Sequence, residues 1–302
     1  MSTLNLINID GVALTEDFLS LKRELESLET RNEDVWVTAF PKSGCTWTQE
    51  MVWLLKNNLD YEKAQVMLQR RYSFIDFGAF RNETTKFIEK HKIPTDFSVT
   101  SPDYLKIISE SEGGRFIKSH LPFDFLPTQI KNGTKTPKII HVIRNPKQVV
   151  PSYFHHATKV FPFFVGSLNE FVDCFINEQI LYGDYFRTVL SYWNEKHRSN
   201  LLIITYEEMH SNLLGVIKKV SKFLDKTYTE EEYETLSKHL SFDQMKLNVA
   251  VNMEAIIKNK ECPFIRKGSI DSYKEELSPE MISKLDQWIN LKIKNTGLFY
   301  EN

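Results

Sequence analysis

Six side chains of this 302-residue sequence have types suited to handling an anion and a proton: Lys42, Lys118, His120, Arg144, Ser152 and Tyr206. Lysine and arginine supply fixed positive charge, a guanidinium pairs with two phosphate oxygens at once, and imidazole exchanges protons near neutral pH. Around Lys42 runs Phe40-Pro41-Lys42-Ser43-Gly44-Cys45-Thr46-Trp47, in which turn formers follow the apolar stretch Val35–Ala39. Beyond it Trp47, Met51, Leu54 and Leu55 recur at helical spacing, with Thr46 and Gln49 as candidate capping groups. A strand, a glycine-containing loop and a helix start aim backbone N–H groups at one spot, which the helix dipole makes favourable for an anion. Phosphate or sulfate is the expected guest, held by Lys42, the N–H groups from Ser43 to Trp47, and the hydroxyls of Ser43 and Thr46. Taken alone, the loop fits an ordinary Pro-Lys-Ser-Gly turn equally well. Its spacing also differs from the G-x-x-x-x-G-K of the usual nucleotide loop.

These side chains lie far apart in the chain, so a scaffold must gather them. Residues 115–120 and 138–144 read as strands, the second followed by Asn145-Pro146 and a helix through Val149, Val150 and Tyr153. Leu201–Thr205 reads as another strand, ending at Tyr206. With Val35–Ala39, these apolar strands alternate with amphipathic helices, the pattern of a single α/β domain with a central parallel sheet and helices on both faces. Ligands bind such sheets outside the carboxyl ends of the strands. Those ends carry Lys42, then Lys118 and His120, then Arg144, then Tyr206, so every strand delivers an anion-compatible group to one edge. Nearer the start, residues 14–28 have helical periodicity, and residues 65–80 place Tyr72, Phe74, Phe77 and Phe80 on irregular chain.

Composition narrows the partners. Lys+Arg 38 against Asp+Glu 40 gives a formal charge of −2, which leaves no global basic field for nucleic acid. Cys45, Cys174 and Cys262 are scattered without a C-x-x-C pair, so neither a disulfide framework nor a zinc site is expected. The first residues lack a basic, apolar leader and no apolar run approaches membrane-spanning length, which points to the cytoplasm and to no membrane partner. Aromatic residues make up 13%, including 21 Phe, enough to line a pocket as well as fill a core.

Five stretches, taken in order, resemble the cytosolic sulfotransferases over nearly the whole chain. They are the loop from Phe40 to Trp47, Lys118-Ser119-His120-Leu121-Pro122, Arg144-Asn145-Pro146 with Ser152 beyond it, Tyr206-Glu207-Glu208, and Arg266-Lys267-Gly268. The resemblance implies a P-loop-like sulfotransferase fold. It also implies transfer of a sulfuryl group from 3'-phosphoadenosine-5'-phosphosulfate, leaving adenosine-3',5'-bisphosphate. The acceptor would be the hydroxyl or amine of a small, mostly apolar molecule such as a phenol, steroid or other alcohol. On this resemblance Lys42, Ser43, Gly44, Cys45, Thr46 and Trp47 hold the 5'-phosphosulfate, with Trp47 against adenine. Arg144, Ser152, Arg266, Lys267 and Gly268 hold the 3'-phosphate, and Tyr206, Ser241 and Phe242 complete the nucleoside pocket. His120 is then the general base, Lys42 stabilises the leaving oxygen, Lys118 assists at the transferred group, and Ser152 bonds Lys42 before the acceptor arrives. No metal is expected, because a sulfuryl group carries less charge than a phosphoryl group. Phe18, Phe74, Phe77, Phe123 and Phe154 are the acceptor-pocket candidates, with His155, His156 and the cluster at 161–164 nearby.

The sequence also departs from that family. Leu240 stands in place of a threonine, with Ser241 as a substitute, and Asp271-Ser272-Tyr273 replaces Gly-Asp-Trp. Residues 274–279 replace the Lys-x-x-x-Thr-Val dimer segment, and Pro279 removes an N–H that strand pairing needs, so the usual dimer is not assumed. The segment after Ser152 reaches Lys159 sooner than in the family. Two other readings stay open: a retinol-dehydratase-like lyase acting through a sulfated allylic alcohol, and a non-catalytic binder of nucleotide or apolar ligand. The loop spacing disfavours a P-loop kinase.

Overall fold

Val35–Ala39 behaves as a strand with both faces covered: Val35, Val37 and Ala39 enter one apolar core and Trp36 the other. In the computed structural model, which describes residues 1–80, 85, 86, 89, 104–254 and 263–300, it is the third of seven strands. Cys262 lies outside the described residues. Strands β1 (Leu6–Ile9) and β2 (Val12–Thr15) form an antiparallel hairpin. Strands β3 (Val35–Ala39), β4 (Ser73–Phe74), β5 (Phe116–Ser119), β6 (Lys138–Ile143) and β7 (Leu201–Thr205) form one parallel sheet in the order β4-β5-β3-β6-β7. On one face lie α1 (Phe18–Ser27), α3 (Pro146–His155) and α5 (Pro279–Ile293), and on the other lie α2 (Cys45–Lys56) and α4 (Leu213–Phe223).

The register is what gathers the distant residues. Val37 lies beside Lys118, Ala39 beside Val142, and Ile143 beside Thr205, so the chain leaves β3, β5, β6 and β7 at the same edge. The opposite end of β3 and β5 is pinned by a buried ion pair. Asp34 accepts from Arg115 Nε at 2.9 Å and from the Arg31 N–H at 2.9 Å, with side chains only 0% and 4% exposed for Asp34 and Arg115. Removing one member of such a pair costs about 3–5 kcal/mol, because the other is left buried and uncompensated.

Two elements differ from the sequence expectation. Leu14 belongs to β2, and the helix begins only at Phe18, because an Asp10-Gly11 turn with φ of 49° and 85° folds the preceding chain into a hairpin. The two-residue β4 is too short for any periodicity to show. Pro279, read as a disruption of strand pairing, is the first residue of α5, where its missing N–H costs nothing; Ser278 caps that helix.

Candidate active site

Helix α2 starts from a turn that only glycine fits well. Gly44 caps it in the left-handed region at φ 105°, and a Cβ there would sit 2.9 Å from the Tyr206 ring and 3.3 Å from the Met209 methyl. The first turn of α2 has no intrahelical acceptor for its N–H groups, so those of Cys45, Thr46 and Trp47 are available to an anion. Thr46 and Gln49 do not cap the helix; no side chain does. Burial pushes the Cys45 thiol up to about 11, so this residue offers its N–H and no thiolate. Gly44→Ala is expected to weaken binding of adenosine-3',5'-bisphosphate at least about tenfold, or about 1.4 kcal/mol, because the left-handed turn or the Tyr206 contact must yield. Calorimetric titration of the variant measures this, and an unchanged affinity would show that the turn does not shape the site.

Arg144 is held ready beside this loop. Its Nη1 donates to the Lys42 carbonyl at 3.0 Å, its Nε to Gln148 at 3.2 Å, and its guanidinium lies 3.8 Å from the Tyr206 ring centroid. Tyr185 donates to the Arg144 carbonyl at 2.6 Å, and Glu207 accepts from the Asn145 N–H at 2.9 Å, which fixes the turn after β6. No carboxylate bonds Arg144 among the described residues. Its charge is shared with a carbonyl, an amide and a ring, all weak competitors for a phosphate. Trp47 donates to the Leu240 carbonyl at 2.8 Å and meets Tyr206 edge-on at 5.6 Å. The backbone of residue 240 positions the indole, a contact that does not depend on the side chain there. Gly268 lies against Phe242, where a Cβ would come within 2.6 Å of the ring. Arg266 donates to Glu276 at 2.7 Å and Lys267 to Glu275 at 2.8 Å, while His155 shares Glu276 at 2.6 Å.

At the end of β5, His120 is oriented from both sides. A carbonyl can only accept, so its 2.6 Å contact with the Ala39 oxygen fixes the proton on Nδ1 and leaves a lone pair on Nε2. Burial, Lys118 and Lys42 draw the imidazole well below its ordinary range, so it is neutral at pH 7. The backbone N–H of His120 donates to Asp76 at 2.6 Å, and Asp76 also accepts from Ser119 at 2.8 Å and Tyr182 at 3.2 Å. Burial pushes the Asp76 carboxyl up to about 6, against those donors and Lys118. Lys118 lies over Phe74 and Lys42 over Phe264, each ammonium 4.2 Å from the ring centroid.

Lys42, Lys118, His120, Arg144 and Tyr206 open onto one cavity of about 900 Å³. Its polar end is lined by Lys42, Gly44, Cys45, Thr46, Trp47, Arg144, Ser152, Tyr206, Ser241, Phe242, Arg266, Lys267 and Gly268. Its aromatic lining includes Phe74, Phe77, Phe80, Phe161 and Phe163, and Lys118 and His120 both adjoin Phe74. Four expected residues are not on its wall. Ser43 is fully buried: its N–H is spent on the Phe40 carbonyl at 3.2 Å, and after the left-handed turn at Lys42 (φ 68°) its hydroxyl is buried with no partner among the described residues. Phe18 faces the core from α1 and stacks on Phe125 at 5.4 Å. Phe123 packs edge-on against Tyr192 at 5.6 Å, and Phe154 points down onto Phe171 at 5.6 Å. Asp76, Tyr182 and Phe264 escaped the sequence reading. Phe264 was findable from its place two residues before Arg266, but nothing in sequence links Asp76 or Tyr182 to His120.

Residues 32–297 match the family profile described as a sulfotransferase domain. The chain belongs to the sulfotransferase family. This sulfotransferase is 38% identical to the luciferin sulfotransferase of Photinus pyralis, over 98% of this chain and 81% of that one. It is 28% identical to the amine sulfotransferase of Oryctolagus cuniculus, over 97% and 92% of the two chains. Its fold superposes with a TM-score of 0.88 on a retinol dehydratase in complex with retinol and PAP, at 27% identity over 99% of this chain and 93% of that one. The enzyme is therefore a sulfuryl transferase with the PAPS/PAP chemistry of its family.

Proposed function

We propose that this sulfotransferase moves the sulfuryl group from 3'-phosphoadenosine-5'-phosphosulfate to the hydroxyl of a small apolar acceptor in the cytoplasm, with His120 as general base. The residues fit the donor: an N–H cradle with Lys42 for one anionic end, Arg144, Ser152, Arg266 and Lys267 for the other, and Trp47, Tyr206 and Phe242 between. The observation that carries the reading is the pinned Nδ1 of His120. It leaves a neutral imidazole with its lone pair on Nε2, on the cavity wall beside Phe74.

His120 takes the acceptor's hydroxyl proton on Nε2 as the oxygen bonds to sulfur. Lys42 stabilises the negative charge left on the 5'-phosphate oxygen as its bond to sulfur breaks. Lys118 adds positive charge beside the transferred group, and Phe74, Phe77 and Phe80 exclude water and seat an apolar body. The purified protein, given the donor and a panel of phenols, steroids, catechols and retinoids, is expected to yield a sulfate ester detectable by mass spectrometry. Failure with every hydroxylated acceptor would sink the proposal. The likeness to a retinol dehydratase favours a second reading, in which a sulfated allylic alcohol eliminates. The same spectra separate the two: a dehydrated polyene from retinol and no stable ester supports the lyase.

A further inference from the structure

We infer that His156 is a specificity-determining residue of the acceptor chamber, and that it selects aromatic acceptors bearing a second neutral hydrogen-bonding group. The inference rests on the sulfuryl-transfer reading of the same cavity. Helix α3 contains Pro151 and passes directly into a π turn over His156–Val160. Such turns are rare, and they recur where a side chain is re-aimed at a functional site. Here the turn puts His156 on the cavity wall.

The imidazole makes no hydrogen bond among the described residues. Its Nδ1 is buried without a partner, and the rings of Phe161, Phe264 and Tyr153 surround it at 5.3, 6.0 and 6.3 Å. Nε2 is then the ring nitrogen left accessible to a ligand.

Comparison with His120 indicates what His156 can do. His120 is buried and His156 partly so, both lie near Lys42 and Lys118, and both are held neutral. In His120 the Ala39 carbonyl fixes the tautomer, as abstraction of a proton requires. No hydrogen bond among the described residues fixes the tautomer of His156, so Nε2 can present either an N–H or a lone pair. That suits recognition of a hydroxyl or carbonyl, which can adapt to either, and not proton transfer. A neutral imidazole offers a carboxylate one N–H and no charge of its own, whereas a hydroxyl can pair with it in either tautomer. The surrounding phenyl rings favour a flat aromatic body. An acceptor without the second group leaves the imidazole unpaired in an apolar wall, which is how a buried polar group discriminates between ligands.

The test compares 2-naphthol with dihydroxynaphthalene isomers and their monomethyl ethers, binding to protein loaded with adenosine-3',5'-bisphosphate and followed by tryptophan fluorescence. Wild-type protein is expected to bind at least one dihydroxynaphthalene about tenfold more tightly than 2-naphthol, and to lose that gain when the second hydroxyl is methylated. In His156→Phe the preference collapses while 2-naphthol binds as before, and His156→Gln, which keeps polar atoms, retains part of it. Wild-type protein without a preference overturns the inference. So does a preference that survives in His156→Phe, or a variant that weakens all ligands equally. The methyl ethers probe the contact without any substitution, should His156→Phe fold poorly. Sulfate-ester formation is assayed separately, so loss of the transferase reading and loss of this one are distinct results.

Discussion

His120→Ala is expected to lower kcat by about 10²–10⁴-fold, the usual contribution of a positioned general base, with nucleotide affinity nearly unchanged. The split follows from its neighbours: His120 lies against Phe74 and Tyr182 and is not one of the groups proposed to hold the nucleotide. The wild-type pH profile supplies a second check. A base works deprotonated, and burial with Lys118 and Lys42 holds His120 well below the ordinary imidazole range. Its kcat/KM should therefore stay flat as pH falls from about 8 to about 6, where an unperturbed imidazole would already be mostly protonated. A half-maximal point near 6.5 would contradict the burial of this ring. Stability must be followed in parallel. His120 and His156 are held well below the ordinary range and His141 is drawn to about 3, while the unfolded chain takes up those protons near 6.5. Their contribution is present in full above about pH 6.5 and is lost as pH falls below it, partly offset by Asp76, whose carboxyl is raised to about 6. Circular dichroism at each pH separates loss of base from loss of fold.

The central strands and the groups at their carboxyl ends were legible because their signals are local. Val35–Ala39, Lys138–Ile143 and Leu201–Thr205 are mostly apolar runs; Arg144 and Tyr206 follow the second and third at once, and Lys42 stands three residues beyond the first. The aromatic end was less legible. Phe74 and Phe77 lie on the cavity, while Phe18, Phe123 and Phe154 turn into the core, and all are the same residue type on similarly patterned chain. Which way a phenyl ring points is settled by tertiary packing, as the Phe18–Phe125 stack shows. Asp76 was hidden for the same reason. It touches His120 only because β4 runs beside β5, and a two-residue strand leaves no periodicity. Ser43 was misplaced by a single dihedral, the left-handed φ of Lys42, which neither lysine nor proline announces. The Lys42 carbonyl accepts from Arg144 while its side chain lines the cavity, so one residue ties the loop after β3 to the turn after β6.

Lys42→Met is accordingly expected to lower kcat by about 10²–10³-fold, the cost of deleting one charge-stabilising group from a preorganised site. Methionine keeps the unbranched stem and, like lysine, is not glycine, so the turn at φ 68° bears the same backbone cost in both proteins. The carbonyl bond to Arg144 survives as well, because it comes from the main chain. What disappears is the ammonium, which lies against the Phe264 ring at 4.2 Å. Binding of adenosine-3',5'-bisphosphate should weaken far less than turnover, because Arg144, Arg266, Lys267 and the α2 N–H groups remain to hold the nucleotide. Titration calorimetry and steady-state kinetics on the same preparation measure the two effects. Equal losses in affinity and in kcat/KM, with kcat preserved, would make Lys42 a ground-state anchor and reassign the stabilisation of the leaving oxygen to another group, with Lys118 the next candidate. Lys42→Arg discriminates further. It restores the charge but spreads it over a planar fork, so affinity should recover more than turnover if the reaction depends on a compact charge at the leaving oxygen.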